Sequence, residues 1–452
     1  MMKRLLTALL LIATAIVPIT GLPRQGQIST GTAVGANEVR LGLPEFLPRT
    51  GDAQLARLTG IFNTVLWDDL DYSGNITLVS RSFQPVGRFS APTDIKVDDW
   101  TKAGVAAQYL VFGNARLADG KLKLESRLWD LGVTQNRDVI AVDLGSGDLS
   151  ETAVRATAHL FADMIIDKLF GGRIGIARTQ IAYVATTGKD SKGRDAKEIY
   201  TIDYDGANPQ PLTGYRSQSV TPAWSPDGDK IAFNTYRRNT SALEILSQLD
   251  RRPLPFPAFE GTNTTPAGSP DGGQLAFSSS KDGNMEIYVS DWNGRNPRRL
   301  TNSPKIDMSP AWNIKTGRQI AFMSDRSGSQ QIYIMDTDGS NVEQLIREGG
   351  DAENPSWSPD GQNIAFAWQR TGTGKYDIYI HNLATGKNSQ LTSNSGDNER
   401  PSWAPDGRHL VFASTRTGVS QIYAMLANGQ KVRQLTRSGK NEGPAWSSFI
   451  GK

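Results

Sequence analysis

The sequence predicts a mainly β protein with a smaller α/β part: an N-terminal mixed α/β domain, then a six-bladed β-propeller closed by pairing its first and last strands. Three observations carry this reading. A motif of the form Pro-x-Trp-Ser-Pro-Asp-Gly-x-x-Ile-Ala-Phe recurs through residues 176–452 with a period of about 45 residues. The repeats are offset, beginning with an apolar strand and finishing on a Pro-x-Trp strand. Ahead of them, residues 38–175 follow a different rhythm of helices and strands.

The prolines of the motif are Pro222, Pro266, Pro310, Pro355, Pro401 and Pro444, spaced by 44, 44, 45, 46 and 43 residues. That is the length of a four-stranded antiparallel unit with tight turns, and six copies imply six blades. Further anchors keep the same count. Ile181, Ile231, Leu275, Ile320, Ile364 and Leu410 open an apolar strand, and Ile199, Ile245, Ile287, Ile332, Ile378 and Ile422 open the next. Leu212, Leu300, Leu345, Leu391 and Leu435 mark a shorter outer strand.

Within the unit at Pro355, Pro355-Ser356-Trp357 reads as a short strand, with proline tolerated at its start. Ser358-Pro359-Asp360-Gly361 then turns the chain: Pro presets φ, Asp bonds back to the backbone and Gly takes a positive φ. Ile364-Ala365-Phe366-Ala367 is apolar on both faces, as a strand between neighbouring blades requires. A polar hairpin tip follows at residues 370–375. Gln390-Leu391-Thr392, with one strong anchor, suits a short outer edge.

The offset decides how the ring closes. Ile181-Ala182-Tyr183-Val184 has no Pro-x-Trp strand before it, and Pro444-Ala445-Trp446-Ser447 has no apolar strand after it. Pairing the two completes one blade and removes an open edge. Two repeats depart from the pattern. Gly268 stands where the others have Trp, read either as drift or as a gap at one side of the channel. Asn313-Ile314-Lys315-Thr316-Gly317 makes the next repeat's turn one residue longer.

In residues 38–175, Val39 to Leu43 reads as a strand. Residues 52–70 carry Leu55, Leu58, Ile61, Phe62, Val65 and Leu66 at helical spacing. Strands are expected at 76–79, 109–113, 122–129 and 138–142. A helix is expected over 150–170, with Ser150 as its N-cap and Gly171-Gly172 as its stop.

Before this domain, Lys3 and Arg4 precede the apolar run 5–17, which reads as a signal peptide over residues 1–21 and is too short to span a bilayer. Small residues offer cleavage anywhere from 15 to 36, and 22–37 reads as a flexible segment. The formal charge of +3 falls to at most +1 without the leader's Lys3 and Arg4, which argues against a sequence-independent hold on nucleic acid. The chain has 0 cysteines, so no disulfide and no lipid-modified N-terminal cysteine is expected.

The stretch Arg178-Thr179-Gln180-Ile181-Ala182-Tyr183-Val184, the Asp203-Tyr204-Asp205-Gly206 turn and the repeated Pro-Ala-Trp-Ser-Pro-Asp-Gly resemble the TolB family, periplasmic propellers of the Tol-Pal system. The resemblance extends through Asp98-Asp99-Trp100, Val111-Phe112-Gly113 and Asp167 to Gly171, and covers almost all of the expected mature chain. It implies a periplasmic monomer without cofactors that binds Pal, a peptidoglycan-tied lipoprotein, at one mouth of the propeller channel. The role implied is support of outer-membrane integrity and of constriction at division. The matching positions here are Asn263, Thr264, Thr265, Asp307, Met308, Ser309, Glu353, Asn354, Glu399, Arg400 and Glu442. From the residues themselves, polar groups preceding a buried Pro-x-Trp strand are expected to emerge at a channel end. The family also contacts TolA through its mature N-terminus. The stretch from Leu22 to Asn37 matches no pattern, and whether it serves TolA or is a linker stays open.

Catalysis finds little footing. No Gly-x-Ser-x-Gly elbow occurs. His159, His381 and His409 are isolated in sequence, in a helix and in two separate repeats, with His409 read as a strand residue beside the core. Asp336-x-Asp338-Gly339 is similar to the start of a calcium loop but lacks its later ligands, and reads as a hairpin turn. The alternative to protein binding is a propeller that holds a glycan or small ligand in its channel, which aromatic residues at the mouth would favour; the positions above contain none.

Overall fold

The computed structural model describes residues 39–237 and 241–448. The expected signal peptide and the 22–37 segment lie outside the described residues.

The N-terminal sheet runs in the order Ile76–Leu78, Val39–Gly42, Tyr109–Ala118, Lys121–Asp130, Asp138–Gly145, with the short Leu47–Pro48 also pairing with Tyr109–Ala118. Val39–Gly42 is parallel to both neighbours, and the last three strands form an antiparallel meander. Three helices accompany it: α1 (Ala53–Tyr72), α2 (Val97–Thr101) and α3 (Glu151–Leu169). Asp52 caps α1 by accepting the Leu55 amide at 2.7 Å, and Ser150 caps α3 by accepting that of Ala153 at 3.2 Å. Neither the 47–48 strand nor α2 stands out in the sequence, because each is too short to show a period.

One sheet face is covered by α1 and α3, whose Leu58, Phe62, Leu66, Phe161 and Ile165 pack with Leu122, Leu124 and Leu128 of the fourth strand. The other face holds Phe89, Trp100, Leu110 and Phe112. Trp100 explains Gly42, since a Cβ there would sit 2.7 Å from the indole.

Residues 176–448 form six four-stranded antiparallel sheets. Blade one comprises Asn441–Trp446, Gln180–Lys189, Asp195–Asp203 and Gln210–Pro211; blades two to six follow in chain order, with innermost strands Ser219–Trp224, Asn263–Gly268, Asp307–Trp312, Gly350–Trp357 and Asn398–Trp403. In the closing pair Trp446 lies opposite Ile181 and Glu442 opposite Val184, as the offset of the repeats predicts. Each second strand is sealed between blades by a buried Ile-Ala-Phe-type triplet such as Ile320-Ala321-Phe322. Most outer strands are two residues long, which leaves little free edge.

The motif proline is not at a strand start. Each innermost strand begins several residues earlier and carries a β-bulge in which the proline and the residue before it face a single partner residue. Those partners are Phe233, Phe277, Phe322, Phe366, Phe412 and Tyr183, one per blade. A proline cannot donate to the ladder, and the bulge is where no donor is needed.

Gly268 leaves no gap. Trp292, from the turn between the two outer strands of the same blade, fills the space: a Cβ on Gly268 would lie 2.8 Å from its Cζ2. The long turn at Asn313–Gly317 is closed by Gly317 donating to the Asn313 carbonyl at 2.8 Å, while the Asn313 side chain accepts from Lys315 and Thr316.

Because the strands are antiparallel, each innermost strand starts on the face that also carries the hairpins joining the second and third strands. The Ser-Pro-Asp-Gly turns lie on the opposite face, and there the α/β domain docks. Its core continues into the propeller without a break: α1 and α3 share one cluster with Ile181, Tyr204, Val411, Leu435 and Trp446.

Candidate functional site

The six bulges converge on the propeller axis. Thr221-Pro222, Thr265-Pro266, Ser309-Pro310, Asn354-Pro355, Arg400-Pro401 and Gly443-Pro444 line a cavity of about 140 Å³. The first residue of every pair has a positive φ, from 47° at Thr265 to 58° at Gly443. Side chains bearing a Cβ pay for this conformation, most of all a β-branched Thr before Pro. Its repetition in all six blades ties it to the bulge and not to any single residue. The result is a ring of bulged backbone at the channel.

The positions expected as entry loops are therefore the first halves of the innermost strands, and they divide into two groups. Asn263, Thr264 and Asp307 are buried. Asn263 accepts from Ser279 Oγ at 2.7 Å and donates to the Phe259 carbonyl at 2.9 Å. Asp307 accepts from the Arg326 guanidinium at 2.7 Å, and burial still pushes its carboxyl above the usual range against the pull of Ser324 and Arg326. These side chains stitch each strand to its own hairpin. In blade six Arg416 reaches Asn398 at 3.0 Å in the same way.

Thr265, Met308, Ser309, Glu353, Asn354, Glu399, Arg400 and Glu442 form the second group, half-buried along the mouth. Thr265 Oγ1 and Ser278 Oγ lie 2.7 Å apart, and the Ser309 amide donates between them, bridging blades three and four. The carboxylates sit on three neighbouring blades, five, six and one. Burial raises the pKa of Glu353 and Glu399, with Arg400 opposing it in both. Glu442 goes the other way. Burial raises it, but the Lys197 ammonium that it accepts, with Lys440 at 3.5 Å and Arg400 nearby, brings it below the ordinary value.

Sequence reading missed Tyr376. It comes from the hairpin between the second and third strands of blade five, and its phenol is pushed up to about 12 by burial and by Glu353, Asp351 and Glu399. Nothing in its local sequence separates it from a hairpin residue. His381, on the third strand of blade five, has its Nδ1 2.8 Å from Asn388 Oδ1. Asp338 caps its hairpin by accepting the Ser340 amide at 2.9 Å. Among the described residues no cluster of His, Asp and Glu is placed to hold a metal ion, and no helix is long and apolar enough to cross a membrane.

A closed ring of six blades with a charged mouth lined by bulged backbone, carrying an α/β domain on its other face, defines a two-domain propeller protein. The model of the TolB amino-terminal domain matches residues 32–137, and that of the TolB beta propeller domain matches residues 167–372 and 346–450. The chain belongs to the TolB family. The Tol-Pal system protein TolB of Gluconobacter oxydans is 31% identical over 372 residues, 80% of this chain and 77% of that relative. That of Desulfosudis oleivorans is 33% identical over 270 residues, 59% of this chain and 58% of that protein, and that of Bordetella avium 32% over 278 residues, 61% and 58%. The chain thus spans less than two thirds of the length of the latter two. The crystal structure of TolB from Acinetobacter baumannii superposes with a TM-score of 0.75 at 26% identity, covering 91% of this chain and 97% of that one.

Proposed function

We infer that the chain is a non-enzymatic, periplasmic scaffold of the Tol-Pal system that binds Pal at the channel mouth, and TolA through its 22–37 segment, in support of envelope integrity and constriction at division. The observation that carries this reading is the mouth itself: side chains from five blades, Thr265, the apolar Met308 and Ser309 on one side and the polar or charged Glu353, Asn354, Glu399, Arg400 and Glu442 on the other, set on a backbone ring held by bulges. A rim of half-buried charges suits a wet, hydrogen-bonded protein interface. A standard interface covers about 800 Å² on each partner, more than the cavity rim offers, so the hairpins on the same face, including Tyr376, share the contact.

The test is capture of the exported protein by immobilised, peptidoglycan-linked Pal. Glu353→Arg combined with Glu399→Arg replaces two carboxylates by cations on adjacent blades and is expected to abolish capture while the melting temperature stays near that of the wild type. Undiminished capture by the folded double variant would remove the mouth as the Pal site. Capture of TolA by a chain starting at residue 38 tests the N-terminal segment separately.

A further inference from the structure

Two of the three histidines, His159 and His409, lie at the junction between the domains. His159 projects from α3 and is 4% exposed. Its Nδ1 lies 2.8 Å from Asp69 Oδ2 on α1, and its Nε2 lies 3.8 Å from Asp205 Oδ2, in the turn between the two outer strands of blade one. The other oxygen of Asp69 accepts from the Tyr204 hydroxyl of that same turn. Asp205 also takes the Arg155 guanidinium, one helical turn before His159. From blade six, Arg433 lies 4.0 Å from the Tyr72 ring and faces Tyr204. A single imidazole thus stands between a carboxylate of the α/β domain and one of the propeller.

We propose that His159 is a proton-operated latch between the two domains: protonated, it ties Asp69 to Asp205; neutral, it lets Asp205 go. Both carboxylates can only accept, so only the imidazolium turns an N–H to each: a hydrogen bond to Asp69 and, at 3.8 Å, an ion pair without a hydrogen bond to Asp205. A neutral ring keeps one N–H, which stays on Asp69, and turns a lone pair toward Asp205. Arg155 then remains as a cation paired with that carboxylate.

The electrostatics agree with the geometry. Burial pulls the His159 pKa down, but the charge and hydrogen bond of Asp69 and the charge of Asp205 outweigh burial and the opposing Arg155, and hold it above its ordinary value. A basic group raised in the closed state stabilises that state fully below its open-state pKa and ceases to do so as pH rises through the closed-state value. The latch is therefore shut on the acid side and opens toward alkaline pH. Each unit of difference between the two pKa values changes the opening equilibrium about tenfold.

With three histidines in the chain, imidazole proton resonances of the full-length protein are assignable using His381→Asn and His159→Gln. His159 is expected to titrate above 6.5, its ordinary value, and Asp205→Asn is expected to lower that midpoint. Amide exchange at residues 204–207, normalised to the intrinsic rate at each pH, is expected to rise through the same titration in the wild type and to show no such step in His159→Gln. A wild-type midpoint at or below 6.5, or the same pH-dependent opening in His159→Gln, overturns the proposal. The wild-type and Asp205→Asn titrations decide it even if His159→Gln does not fold. The other junction histidine, His409, pairs with Asp406 at 2.7 Å.

Discussion

His409 Nε2 lies 2.8 Å from the main-chain oxygen of Tyr72, so the second strand of blade six is bonded directly to the end of α1. A carbonyl oxygen only accepts, which places a proton on Nε2, while Nδ1 faces Asp406. Around this bond Arg408 reaches the Gly74 carbonyl, and Lys431 pairs with Asp71 at 3.1 Å. The polar contacts ring the apolar cluster that α1 shares with the propeller.

Gly74 is where this docking leaves least room. Its φ is +66°, and a Cβ would lie 2.8 Å from Leu426 Cδ2 across the junction. Gly74→Ala is expected to cost about 1–2 kcal/mol from the left-handed backbone alone. Calorimetry would show a lower melting temperature, and an unchanged one would mean that the junction yields freely.

Trp446 anchors the closing strand. It is 6% exposed, and its indole N–H donates to Thr179 Oγ1 at 2.8 Å. Trp446→Ala is expected to lose about 3–5 kcal/mol in urea unfolding. Removing residues 443–452 takes away half of the closing pair and should abolish a single cooperative transition. A truncated chain that still unfolds in one sharp step would show that blade one holds without it.

At Gly268 the prediction is a reciprocal pair. Gly268→Trp restores the repeat but collides with Trp292, an overpacking expected to cost about 1–3 kcal/mol. Trp292→Gly empties the same space and also destabilises. The double variant is expected to recover much of both losses, which a double-mutant cycle measures directly. Simple additivity would show that the two sites do not share one space.

The mouth carboxylates give a pH signature. Glu353 and Glu399 have pKa values raised by burial, so their ionised forms weaken the fold at neutral pH. That cost is relieved as pH falls through their folded values and is gone below the ordinary value of 4.5. The variant Glu353→Gln with Glu399→Gln should therefore exceed the wild type in stability at pH 7, with the advantage shrinking on acidification. Denaturant melts between pH 7 and 4.5 would reveal it, and an advantage that grows toward acid would contradict the assignment.

The repeat was legible because each blade solves the same packing problem with the same residues, and the register between Ile181 and Trp446 followed from a simple offset. The bulge was not legible. Proline is compatible both with a strand start and with a bulge, and only the pairing of its neighbours separates them. The filling of Gly268 was hidden for a different reason, since Trp292 belongs to another turn of the blade. The junction draws Asp69, His159, Asp205 and His409 from four separated stretches, so a histidine with no neighbour in sequence gains two partners in space. Of the expected mouth residues, Asn263 and Asp307 turned inward because a strand, unlike a loop, must satisfy its side chains against its own hairpin, and Thr264, next to Asn263, is buried as well.

The closing pair also sets a clock. The Gln180 amide donates to Ser447 Oγ across 267 residues, and nothing nearer in the chain can stand in for that strand. Contacts so distant form slowly, because the loop between them must be closed before any pairing rewards it. Until residues 441–446 have been delivered, blade one is a three-stranded sheet with a bare edge. A ring built this way stays open for the whole of its own synthesis.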